Sequence, residues 1–566
     1  MTTTNHPARR LVTGLFDPGL RGGLMVCGTT SDAGKSQVVT GLCRLLARNG
    51  VRVAPFKAQN MANNSYVTPS GHEIGRAQGV QALAAGIEPE VAMNPVLLKP
   101  TGEHTSQVVV MGRPAGHLTA AEYHEYKPQL LTQVLAALAD LRSRFDVVVI
   151  EGAGSPAEIN LLDHDIVNLR IAHEANLHAV VVGDIDRGGV FAALHGTVDL
   201  LPARYRRLVG GFVINKLRGD PALMLDGTHQ LEARCGVPTL GVLPWIRDIA
   251  LDAEDSLALD GHRPRPASDP VEGSDRLDVA VIRFPRLSNF TDLDALSIEP
   301  GVSVRYIDSG AALGAPDLLV LPGTKATLAD LTWLRERGLD CAVMDAAAEP
   351  AGPIVLGICG GYQMLGRVIA DPHAVEAARP GQVAGLGLLD VVTTFDPVKI
   401  TRQRRGHERW TGALRTDPAG SSHPVTGYEI HQGRVELGRA AEPWVLLDSP
   451  PEADSGAGAS ISTSTKHAAG LATTQHPAEP EGAVDTAARR VLATTLHGLF
   501  EADGFRAAFL VEVARRRGKN FVPAGVSFAA ARLTQFDRVA DALEAHVDLT
   551  RLSALIATAP PPEDTP

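Results

Sequence analysis

Two short segments carry residues arranged for chemistry. In the first, PIVLGICGGYQMLG, an apolar run enters Gly357-Ile358-Cys359-Gly360-Gly361 and a helical pattern follows. This is a cysteine version of the strand–elbow–helix turn that lifts a nucleophile into the open. The glycines permit the sharp bend, and the start of the following helix favours thiolate. The Gly360 N–H is placed for an oxyanion hole, and a second donor is expected from the turn VLPGTKAT, at Gly323 or Thr324. In the second, LMVCGTTSDAGKSQVVTG, an apolar run enters a Gly-rich turn and a helix begins near Lys35. Backbone N–H groups converging beside a helix start attract phosphate. Lys35 would reach the outer phosphates, and the Ser36 hydroxyl would help hold Mg²⁺. Gly28, Thr29, Asp32 and Gly34 complete this candidate ATP-binding loop.

Each site needs partners. A cysteine nucleophile requires a base. His497, in TTLHGLF directly after an apolar run, is preferred over His431 in GYEIHQG, which has Glu429 close by. At the phosphate loop, Glu151 ends the run VVVIEGAGS, where an acid near Mg²⁺ would sit. Lys57, in PFKAQNMANNS, could contact a phosphate or a substrate carboxylate, and Asn60 could bind substrate. The bland alternatives are a capping acid, a solvated lysine and a polar turn. Cys27, Cys43, Cys235 and Cys341 are read as packing residues.

The elements around these motifs define the fold class. LMVCG, VRVAPF, DVVVIEG, HAVVVGD, GGFVIN and PTLGVLP alternate with helical patterns over the first 250 residues. Continuous apolar runs suit a parallel sheet covered on both faces. DVAVIRF, VSVRYID, DLLVLPG and PIVLGIC begin a second α/β series. The reading is an extension over 1–20, a nucleotide-binding domain over 21–250, a linker over 251–276, a second α/β domain over 277–510 and a helical segment with tail over 511–566. Residues 449–483, poor in bulky apolar side chains, are expected to be a disordered insertion.

Composition narrows the function classes. The chain has 566 residues, a formal charge of −11, 44% hydrophobic and 21% charged residues. That excess of acid argues against a nucleic-acid surface. Five cysteines without a CxxC pair make neither a disulfide framework nor a structural zinc site. The start lacks the apolar stretch of a signal peptide and no run spans a bilayer, so a cytoplasmic protein without membrane insertion is expected. Oligomeric state is open.

The phosphate loop has five residues between Gly28 and Gly34, one more than the usual motif, and resembles that of dethiobiotin synthetases. The back half resembles class I glutamine amidotransferases. Taken with VVIEGAGSPAEINL, VVGDIDRGGVFA, INKLRGD, PRLSNFTDLDAL, LPGTKATLADL, GYEIHQGR and LHGLFE, the chain resembles the cobyric acid synthases of cobalamin synthesis over most of residues 20–505. The resemblance implies a corrinoid substrate, adenosylcobyrinic acid a,c-diamide, amidated at its b, d, e and g carboxylates. It implies ATP and Mg²⁺ as cofactors and L-glutamine as ammonia donor. It assigns Cys359 as nucleophile and, by position, His497 as base. Many amidotransferases place Glu two residues after this His. Leu499 stands there instead, which leaves the group orienting His497 open; Glu501 is one candidate. The competing readings are the sister a,c-diamide synthase, a partition-type P-loop ATPase switch, and a binding protein with an inactive glutaminase domain.

Overall fold

The computed structural model describes residues 14–102, 105–247, 249, 268–410, 422–449 and 478–562. The chain divides into two compact units, Met1–His262 with Ser527–Pro566, and Arg263–Val526.

In the first unit, the six apolar runs anticipated from the sequence form one parallel sheet. Its order is Thr239–Pro244, Val209–Leu217, His178–Asp184, Gly22–Gly28, Val147–Glu151, Val53–Phe56. Every pair is parallel. Side chains of a strand alternate between faces. Hence Met25 and Cys27 enter one core with Leu130, Val134 and Leu138, whereas Leu24 and Val26 enter the other with Val38, Leu42 and Leu46. Gly22–Gly28 is central, so the loop leaving it sits mid-sheet.

The second core is finished from far along the chain. The helical pattern expected around Phe536–Ile556 is two helices, Phe528–His546 and Leu549–Ala557. The first packs along helix Lys35–Arg48. Arg44 binds Asp537, and Arg48 binds Asp541 and Glu544, at 2.6–2.8 Å. A Cβ on Gly41 would lie 2.6 Å from both Leu543 and Val539, so a glycine sets this close approach. Residues 511–566, expected as one helical segment with tail, divide between the two units. In the structure helix Asp503–Arg516 belongs to the second unit, and Ser527–Pro566 belongs to the first.

The second unit has a seven-stranded sheet ordered Val302–Ile307, Leu277–Ile282, Leu318–Leu321, Ile354–Ile358, Val491–Thr494, Ala483–Asp485, Ala441–Glu442. Its first five strands are parallel and the last two pairings antiparallel. A further sheet, not anticipated, is built on two long antiparallel strands, Val391–Glu408 and Pro424–Leu437. Leu496–His497 joins its edge. Of the expected insertion, residues 450–477 lie outside the described residues. Its end does not loop out: Glu479–Glu481 pairs with Val445–Leu447, and Ala483 begins a strand of the main sheet. The linker residues 251–267 also lie outside the described residues, while Ser268 and Asp275 accept or donate backbone bonds within the second unit.

Candidate active sites

The phosphate-loop site starts where strand Gly22–Gly28 ends. Asp32 and Gly34 adopt left-handed backbone, with φ of 57° and 102°. At Gly34 a Cβ would stand 2.0 Å from Asn215 Nδ2, so no larger residue fits. Asn215 in turn donates to the Ala33 carbonyl at 3.1 Å, fixing the loop to strand Val209–Leu217. Thr29 donates its N–H to the Val182 carbonyl. Lys35 is buried, and its ammonium curls back over the loop to the carbonyls of Thr30 (2.9 Å) and Gly154 (3.2 Å). Asp32 and Gly28 frame the same loop; the Asp32 carbonyl accepts from Lys216 Nζ at 2.6 Å.

Glu151 ends its strand fully buried beside this loop. Ser36 Oγ donates to its Oε1 at 2.7 Å, Lys57 Nζ to the same oxygen at 3.0 Å, and Gln81 to Oε2. Burial alone would push this carboxyl up. The Lys57 charge and the bonds from Ser36 and Gln81 outweigh it, and the group is held below the ordinary carboxylate range. Lys57 is therefore no solvated lysine. Asn60 is buried too and donates to Gln78 at 3.0 Å. Ser36 and Glu151 present two hard oxygens within 2.7 Å, a donor set that fits Mg²⁺. No group of three or more His, Cys, Asp or Glu suited to a metal occurs among the described residues.

The cysteine site is built on the central strand of the second unit. Cys359 follows strand Ile354–Ile358 and opens helix Gly360–Leu365 at φ 50°, ψ −105°. Such a conformation is strained for a side-chain-bearing residue and marks functional turns. The flanking glycines are sterically required. A Cβ on Gly357 would meet the Tyr362 nitrogen at 2.8 Å, one on Gly360 the Thr324 methyl at 2.5 Å, and one on Gly361 the Leu321 carbonyl at 1.8 Å. Gly323 is packed likewise: its Cβ would lie 2.9 Å from the Ser288 carbonyl and 3.1 Å from the His497 ring. The turn holding Gly323 is sewn to residues 286–288: Ser288 donates to the Gly323 carbonyl, and the Thr324 hydroxyl bonds Arg286 and Asp330.

His497 is wholly buried, and the Cys359 side chain acts electrostatically on its ring. Its Nδ1 lies 2.7 Å from Asp292 Oδ2, and Asn289 Nδ2 lies 3.3 Å from Nε2. Tyr428 stacks on the ring at 5.3 Å. Burial disfavours imidazolium, but the Asp292 carboxylate and the Cys359 side chain outweigh it, and the pKa rises to about 10. His431 is engaged elsewhere, with Nδ1 2.7 Å from the Gly433 carbonyl and Nε2 near Glu429. The residue that reasoning from sequence missed is Asp292. It lies in PRLSNFTDLDAL, a segment that carries a family resemblance but no catalytic spacing of its own. The orienting candidate Glu501 does not hold the His497 Nδ1; Asp292 does. Of the remaining cysteines, burial pushes the thiols of Cys27 (to about 12) and Cys43 up, as packing residues require. Cys341 is exposed, so packing does not account for it.

A nucleotide-type α/β unit and a cysteine–histidine glutaminase unit on one chain define the class of ATP- and glutamine-dependent carbon–nitrogen ligases. The family described as CobQ/CobB/MinD/ParA nucleotide binding domain matches residues 24–258, and the CobB/CobQ-like glutamine amidotransferase domain matches 278–505. Cobyric acid synthase of Mycolicibacterium paratuberculosis is 49% identical over 543 residues, covering 96% of this chain and 98% of that protein. Cobyric acid synthases of Frankia casuarinae and Nocardia farcinica are each 48% identical, with the same coverage of both chains. The chain belongs to the cobyric acid synthase family, whose work is amidation in cobalamin biosynthesis. No described helix is long and apolar enough to cross a membrane.

Proposed function

We propose that the chain amidates the b, d, e and g carboxylates of adenosylcobyrinic acid a,c-diamide, with glutamine as nitrogen source and ATP as activator. The observation that carries this is the line Asp292–His497–Cys359 in one unit, with the Lys35–Ser36–Glu151 cluster in the other.

The placement of Asp292 on His497 supports the following glutaminase half-reaction. A cysteine paired with an imidazolium attacks as thiolate. Cys359 Sγ adds to the glutamine amide carbon, and the resulting oxyanion is met by the N–H of Gly360 and a donor from the Gly323 turn. His497 gives its proton to the amide nitrogen as the carbon–nitrogen bond breaks, so ammonia leaves and a thioester remains. It then takes a proton from the water that hydrolyses the thioester to glutamate. Asp292 keeps Nδ1 protonated, so that Nε2 serves as the donor and acceptor throughout.

In the nucleotide unit, the loop Gly28–Thr29–Asp32–Gly34 cradles the phosphates and Lys35 swings to the outer ones. Ser36 and Glu151 would hold Mg²⁺, which supplies charge neutralisation at the transferring phosphoryl group. Lys57 and Asn60 face the acceptor carboxylate. Phosphorylation gives it a leaving group, and ammonia displaces phosphate to form the amide. We place the reaction in the cytoplasm, on a small-molecule corrinoid, with no nucleic acid involved.

The test is glutamate release and corrinoid amidation by the unsubstituted chain and by Cys359→Ser, each with ATP. The expected result is that Cys359→Ser loses glutamine use but still amidates the diamide when ammonium salt is added. Unimpaired glutamine use by Cys359→Ser would overturn the mechanism, and absence of product from the diamide would overturn the substrate.

A further inference from the structure

Glu151 is gripped through both oxygens. Ser36 Oγ and Lys57 Nζ share Oε1, at 2.7 and 3.0 Å, whereas Oε2 takes its bond from Gln81 Nε2 at 2.5 Å. Gln81 lies on helix Arg76–Ala84, with Gln78 three residues earlier on the same face. Both are fully buried. The Gln81 Oε1 has no hydrogen-bond partner. A buried amide with an unmet acceptor is costly, and its retention calls for a task that an apolar side chain could not perform.

The division of labour between the two carboxylate oxygens names that task. Oε1 faces the phosphate loop through Ser36 and carries the one charged partner that a cation would displace, the ammonium of Lys57. A dication between Ser36 and Oε1 would stand close to that ammonium and repel it. Oε2 makes its bond to a neutral amide, which a cation leaves undisturbed. We propose that Gln81 is a positioning residue: it fixes Oε2 of Glu151 so that Oε1 can exchange the Lys57 ammonium for a divalent cation held jointly with Ser36. The inference rests on reading GTTSDAGKS as the ATP loop. It has a consequence for order of binding. The exchange releases Lys57 toward an anion, so metal–nucleotide binding precedes and strengthens binding of the acceptor carboxylate.

The experiment is a Mn²⁺ titration of the full chain with ADP present, read by electron paramagnetic resonance, for the unsubstituted protein, Gln81→Met and Lys57→Met. Gln81→Met should weaken Mn²⁺ about tenfold, the usual loss when a supporting partner of a metal ligand is removed. ADP binding in chelator should stay unchanged, and the rise in Tm on adding Mn²⁺ should shrink. Lys57→Met should bind Mn²⁺ more tightly, its competitor having gone. If Gln81→Met lowers Tm equally with and without Mn²⁺ and keeps its Mn²⁺ affinity, Gln81 is structural and the inference fails. If Gln81→Met does not fold, Lys57→Met decides: weaker Mn²⁺ binding there overturns the exchange. No Mn²⁺ binding by the unsubstituted chain with ADP would sink the underlying reading of the loop as well.

Discussion

Asp292 holds His497 in two ways at once: its Oδ2 lies 2.7 Å from the ring Nδ1, and its Oδ1 accepts the N–H of Gly498 at 2.8 Å. One carboxylate thus fixes both the tautomer and the backbone that carries the ring. Asp292→Asn keeps the size and loses the charge. Glutaminase kcat is expected to fall by on the order of 10³–10⁴-fold, the scale found when an orienting carboxylate becomes an amide. Glu501→Gln should change it little. Steady-state glutamate release checks both.

The same pair sets a pH dependence. The pKa of His497 is raised from 6.5 to about 10 in the folded protein. The stabilisation it contributes is therefore complete below pH 6.5 and is lost as pH rises through about 10. The Tm gap between the unsubstituted protein and Asp292→Asn should be wide at pH 6 and narrow above pH 10. A gap that stays constant across that range would contradict the ion pair.

Gly361→Ala tests the elbow. Its Cβ would sit 1.8 Å from the Leu321 carbonyl, backbone against backbone, with no flexible atom to yield. A loss of at least about 1–3 kcal/mol in stability of the second unit is expected, with glutaminase activity falling beyond what unfolding explains because Cys359 shifts. Thermal denaturation alongside glutamate release separates the two effects.

Gly41→Val tests the helix pair of the first unit. The added atoms press on the Leu543 and Val539 side chains, with the Val539 backbone 3.4 Å from the new Cβ, and the cost is about 1–3 kcal/mol. Nucleotide-dependent amidation should weaken, while glutamine hydrolysis in the second unit persists.

Much of this architecture is legible from residue patterns because parallel strands buried on both faces are written as unbroken apolar runs. All six in the first unit read that way, and so did the strand before Cys359. The long strand Val391–Glu408 did not. Its sequence VVTTFDPVKITRQRRGHE mixes Thr, Asp, Pro and Arg, its pairing slips between Phe395 and Ile400, and much of it is solvent-facing. Cys359 and His497 were legible because each ends an apolar strand. Asp292 was not, because it sits in a short 3-10 turn, Phe290–Leu293, 67 residues before Cys359, and no spacing rule ties the two. Gln81 lay hidden for a related reason: glutamine within a helix reads as a solvated face, and only burial against Glu151 reveals otherwise.

The helix Phe528–His546 is synthesised after the entire glutaminase unit, yet it closes the nucleotide unit against helix Lys35–Arg48. A ribosome therefore releases residues 21–250 with Val38, Leu42 and Leu46 still lacking their partners Ala540 and Leu543. The second core of the front unit can be completed only once this helix has been made, against the usual order in which domains mature as they emerge. Any chain cut short after residue 526 would display a bare apolar face, and chaperones and proteases would meet it before ATP did.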